Sequence, residues 1–100
     1  MARFDVYLYS EEIPLVVDVQ ASLLADIKTR MVIPLLPPAR TKKEALPRLR
    51  PLITVKGKDY VLMTTEMSSA DLSDLGKFIE NVEGQRQAIV DAVDFLFQGF

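Results

Sequence analysis

The chain has 100 residues, about half of them apolar, which is the size of one compact domain. Cysteine and histidine are both absent, which excludes disulfides, thiolate metal ligands and the side chains most often used as general base or nucleophile. Net charge is only −2, but nine basic residues and a single acidic one, Glu44, lie between Lys28 and Lys58, so that segment carries +8 and the remainder −10.

Period-two alternation opens the chain: Phe4, Val6 and Leu8 face one way and Arg3, Asp5, Tyr7 and Tyr9 the other, which predicts a half-buried strand. Asp5, Glu11, Glu12 and Asp18 interrupt any apolar centre of the kind a signal peptide needs. The apolar stretch Met31–Ala39 contains three prolines and is too short to span a bilayer, so a cytoplasmic protein is expected. A second strand fits Leu15 to Gln20, with Pro14 at its start, and a third fits Arg30 to Leu35. Pro34 predicts that the third strand lies at an edge or is bulged. Met31, Ile33 and Leu35 on one of its faces and Val32 on the other predict that one face meets a second copy.

Leu36 to Pro51, with prolines at 37, 38, 47 and 51, reads as a basic surface excursion with a short helical turn around Lys42 to Leu46. Leu52–Val55 and Tyr60–Thr65 predict a hairpin joined by Lys56, Gly57, Lys58 and Asp59. Asp71, Ser73, Asp74 and Gly76 punctuate the chain before a short strand over Lys77–Glu80. From Glu83 the period becomes helical, with Ile89, Ala92, Val93 and Leu96 on one stripe and Arg86, Gln87, Asp91 and Asp94 on the other side. Strands first and a helix last predict a mainly β fold, a small antiparallel barrel closed by a C-terminal α-helix.

Chemistry is sparse. The four glycines stand apart and form no phosphate loop. Glu11 with Glu12 and Asp91 with Asp94 read as solvated carboxylates, Met63 and Met67 as core filler, and Thr64 and Thr65 as turn caps. Only one aromatic, Tyr60, stands near the basic run, too few rings for a stacking platform on nucleic acid. The basic segment reads either as a patch that steers an acidic partner or as a solvated loop. The apolar helix runs into Phe97, Gln98, Gly99 and Phe100; this end either tucks Phe100 into the core or presents it as a working surface.

Val17-Asp18-Val19-Gln20, Arg30-Met31-Val32-Ile33-Pro34-Leu35 and Met63-Thr64-Thr65-Glu66-Met67, followed by Gly99, together resemble the CcdB family of bacterial toxin–antitoxin modules. The resemblance extends from Phe4–Tyr9 to Phe100. It implies one toxin domain over residues 1–100, folded as a homodimeric SH3-like barrel, which binds the A subunit of DNA gyrase and traps the enzyme on cleaved DNA. It implies no catalysis and no cofactor, contact with nucleic acid only through gyrase or antitoxin, and neutralisation by a cognate CcdA-like antitoxin through a disordered segment.

Carried over residue by residue, the gyrase-facing set is Leu23, Leu24, Asp94, Phe97, Gln98, Gly99 and Phe100. The family pattern has tryptophan where Gln98 stands, asparagine at Asp94 and isoleucine at Phe100, so hydrogen bonding replaces ring stacking at the tip. Arg40, Lys42, Lys43, Arg48 and Arg50 are the residues expected to meet the antitoxin. Related toxins of the MazF and Kid type resemble the barrel but cleave messenger RNA, and on that alternative Arg30, Thr64, Thr65 and Glu66 would surround a phosphodiester. A non-toxic homologue that only binds an antitoxin is the third reading.

Overall fold

The computed structural model describes residues 2–21, 24, 27–41 and 47–99; the expected helical turn at Lys42–Leu46 lies outside these. Among the described residues seven strands precede one α-helix: β1 (Asp5–Leu8), β2 (Leu15–Asp18), β3 (Thr29–Leu36), β4 (Leu52–Val55), β5 (Lys58–Leu62), β6 (Ser68–Asp71), β7 (Phe78–Asn81) and α1 (Arg86–Gln98). All pairings are antiparallel, in the order β4-β5-β3-β2-β1-β7, with β6 also on β3. The architecture is therefore the mainly β, helix-last fold that the alternation predicts.

β3 is the central strand, not an edge. One side pairs with β2, from Leu15↔Leu35 to Asp18↔Val32. The other pairs first with β6, up to Val32↔Ser68, and then with β5, from Leu35↔Leu62. Pro34 falls in the step between those two neighbours, where no ladder partner needs the N–H it lacks, and its carbonyl accepts the Met63 N–H at 2.9 Å. A change of partner meets the proline's requirement as well as an edge would.

The hairpin is tighter than the sequence implies. Val55 pairs with Lys58, leaving Lys56 and Gly57 as a two-residue loop with φ of +50° and +79°, the left-handed conformation that matches strand twist. β5 ends at Leu62, and Thr64–Glu66 forms a 3₁₀ turn. The helical period expected from Glu83 begins with a 3₁₀ turn over Glu83–Gln85 before α1. β6 had no sequence signal: Ser-Ser-Ala-Asp has little strand propensity, and the segment is a strand because it pairs with β3 and buries Ala70.

The sheet is covered on both faces by the chain itself. Val6, Val17, Ile33, Leu35, Ile53 and Leu62 form one core with Ile89 and Ala92 of α1. Tyr7, Val16, Val32 and Ala70 form a second. Val32 is 1% exposed, so the chain itself covers that residue of β3, whereas Met31 beside it stays 37% exposed. At its margin the sheet curls until β4 nears the segment around β7. Side chains close the seam: Thr54 N–H donates to Gln85 Oε1 at 2.8 Å, Gln85 Nε2 donates to the Thr54 carbonyl at 2.7 Å, and Lys56 N–H donates to Glu80 Oε2 at 2.8 Å.

Two buried polar groups organise the end of the sheet. Arg30 and Asp18, both fully buried, form a two-point ion pair at 2.7 and 3.1 Å. Asp5 accepts hydrogen bonds from Tyr7 Oη at 3.0 Å, Asn81 Nδ2 at 2.9 Å and the Ala2 N–H at 2.8 Å. Burial, then the hydrogen bond to Asp5, then the nearby negative charges raise the Tyr7 hydroxyl pKa above its ordinary value.

Two outcomes follow from these groups. Asp18→Ala leaves the Arg30 charge buried and unpaired and should lower unfolding free energy by about 3–5 kcal/mol, whereas Asp18→Leu combined with Arg30→Met should recover most of the loss; urea titration measures both. Tyr7 is neutral when protonated, and its folded-state pKa is raised. The stability it contributes is present below the ordinary tyrosine pKa of about 10 and is lost as pH rises beyond it, so Tyr7→Phe should show a shallower alkaline fall in the urea midpoint.

Candidate partner-binding surface

α1 buries Ile89 and Ala92, packs Val93 on the same core and leaves Leu96 half-buried. The apolar stripe stops there. Phe97, one residue further round, is 72% exposed, the highest value among the large apolar side chains described. Asp94 and Gln98 are exposed on the same final stretch. Gly99 adopts φ +78° and donates its N–H to the Phe95 carbonyl at 2.9 Å, a left-handed cap that ends the helix where a side chain would be strained.

Four members of the expected gyrase-facing set, Asp94, Phe97, Gln98 and Gly99, are thus brought together at the end of α1. Leu24 is 42% exposed on the β2–β3 connection, where its carbonyl accepts Gln20 Nε2 at 3.0 Å. Leu23 and Phe100 lie outside the described residues.

Three of the basic residues expected to meet an antitoxin, Arg40, Arg48 and Arg50, lie among the described residues, and each has its own local contact. Arg40 ends the 3₁₀ turn Pro38–Arg40 and donates to the carbonyls of Glu11 and Glu12 in the β1–β2 connection. Arg48 lies over the Phe95 ring, 4.6 Å from its centroid, and Arg50 Nη2 donates to Thr65 Oγ1 at 2.9 Å. Lys42 and Lys43 lie outside the described residues. The contact between Arg48 and Phe95 was missed from the sequence because the residues lie in different elements and only the path of residues 47–50 brings them together.

The four residues considered for phosphodiester chemistry are engaged elsewhere. Arg30 is fully buried against Asp18, and its Nη2 also donates to the Gln20 carbonyl at 3.3 Å. Thr64 is buried with its hydroxyl turned to the Leu62 carbonyl, Thr65 receives Arg50, and Glu66 is exposed. An open cavity of about 530 Å³ lies at the Asp71 end of β6, lined by Lys28, Asp71, Leu72 and Ser73, and it includes none of the expected site residues among those described. Among the described residues no group of three or more acidic side chains is placed to hold a metal ion, and no helix is long and apolar enough to cross a membrane.

Solved structures share the fold. An endoribonuclease in complex with its cognate antitoxin, from a mycobacterial species, superposes with a TM-score of 0.78 at 13% identity, covering 97% of this chain and 94% of that one. A further endoribonuclease from a mycobacterial species gives 0.72 at 13% identity, covering 97% and 90%. The Mycobacterium tuberculosis toxin MazF-mt6 gives 0.71 at 13% identity, covering 93% and 95%. Identity this low establishes common architecture and leaves chemistry to the side chains. In sequence, the CcdB protein family matches residues 3–99, so the chain belongs to the CcdB family of toxin–antitoxin toxins.

Proposed function

We propose that this toxin acts by binding rather than catalysis: the end of α1 engages the A subunit of DNA gyrase and holds the enzyme on cleaved DNA, and a cognate antitoxin reverses this. The observation that carries the reading is Phe97, 72% exposed on a helix whose core-facing stripe has already ended. An aromatic left in water at a capped helix end adds little to folding and suits a partner's groove. The sequestration of Arg30 and Thr64 favours this reading over phosphodiester cleavage. A homodimer would duplicate the tip about a twofold axis and present two probes to a symmetric target. Antitoxin binding is supported by family membership and by the shared fold of a toxin solved with its antitoxin.

Removing Gly99 and Phe100 should abolish growth inhibition with little change in melting temperature. Phe97→Ala should likewise change stability by no more than about 0.5 kcal/mol, the range for surface substitutions. Ile89→Ala, by contrast, should cost about 2–5 kcal/mol. Gyrase supercoiling reactions scored for linear DNA after denaturing the enzyme should show cleavage with the intact protein and none with the truncated one; RNA fragments in a parallel incubation would instead establish the nuclease reading. Gln98→Trp should strengthen binding to gyrase by restoring a stacking ring.

Sedimentation at micromolar concentration should give a dimer. A strictly monomeric particle would remove the two-probe geometry.

A further inference from the structure

Residues 48–50 form a strap with three consecutive anchors. The Arg48 guanidinium covers the Phe95 ring at 4.6 Å, Leu49 is buried at 8% exposure, and Arg50 reaches the Thr65 hydroxyl on the 3₁₀ turn that packs against α1. The strap's contact with α1 falls on the residue that also completes the helix cap, since the Phe95 carbonyl accepts the Gly99 N–H at 2.9 Å. α1 has no basic residue in its own last turn, so Arg48 also brings to that end a positive charge that the helix dipole favours.

We propose that Arg48 is a positioning residue for the target-contacting end of α1, acting through Phe95. This assignment rests on the reading of that end as the gyrase-binding surface, and it moves Arg48 from the antitoxin-steering set to the probe itself. By covering one face of the Phe95 ring, Arg48 fixes the rotation of the last turn and hence the direction in which Phe97 and Gln98 project. Arg40, tied to carbonyls of the β1–β2 connection, has no such role and provides the control. A steering charge changes the association rate in a salt-dependent manner, whereas a positioning contact changes dissociation.

The test has two arms. Amide hydrogen exchange on the free full-length protein should show Phe97, Gln98 and Gly99 exchanging about two- to fivefold faster in Arg48→Ala, the size expected for an exposed guanidinium–ring contact, with Ile89 and Ala92 unchanged. Arg48→Lys should restore part of the protection, Arg40→Ala should have no effect, and in a Phe95→Leu background Arg48→Ala should add nothing. On immobilised gyrase A subunit, Arg48→Ala should speed dissociation about two- to fivefold with no change in the salt dependence of association. An effect that persists undiminished beside Phe95→Leu, uniform acceleration along the whole helix, or a change confined to association would overturn the proposal. If the unaltered protein does not bind the subunit, the gyrase reading fails, and the exchange arm still decides whether Arg48 holds the end of α1.

Discussion

Taking the Asp18 carboxylate and the Arg30 guanidinium out of water carries a desolvation penalty of several kcal/mol for each ion, and the sheet is arranged around offsetting it. Asp18 ends β2 and Arg30 is the second residue of β3, so the pair fixes the two strands at the end where their connecting segment leaves the sheet. A one-residue slip in register would turn each charge to the opposite face and forfeit the two-point contact. The same Asp18 carboxylate accepts the Gln20 N–H, and the Gln20 side chain reaches both the Met31 N–H and the Leu24 carbonyl. The exposed Leu24 is therefore hung on a buried ion pair.

That pair also bears on chemistry. Structures of endoribonucleases superpose on nearly the whole chain, yet the arginine that a phosphodiester would call for is here neutralised by a carboxylate and closed off from solvent. Shared architecture therefore leaves the chemistry of each chain to the side chains that face water. Among the described residues at the end of α1, an aromatic ring, an amide, a carboxylate and a glycine cap face water.

Alternation revealed β1 to β5 because each of these strands contributes to a core on at least one face, and the switch in period revealed α1 for the same reason. β6 escaped because its strand character is imposed by β3 rather than encoded in Ser-Ser-Ala-Asp. Pro34 misled because the rule about prolines concerns the missing donor, and a strand that changes partners offers the same vacancy as an edge. The cover over Val32 was not legible because that second core is assembled from Tyr7, Val16 and Ala70, residues distant in sequence. At the end of α1 the close of the apolar stripe at Leu96 was legible and left Phe97 unaccounted for, whereas the seat of Arg48 depends on a tertiary path that no periodicity records.

The seam at β4 differs in kind from the ladders elsewhere. Backbone pairing breaks only when strands separate together, but the N–H and C=O of Thr54 are held by one glutamine amide and the Lys56 N–H by one glutamate carboxylate. These contacts open by rotamer changes of Gln85 and Glu80, one at a time, on timescales far shorter than strand separation. The β4 margin thus depends on two side chains, whereas β2 and β3 are held by a backbone ladder and the buried charges between them.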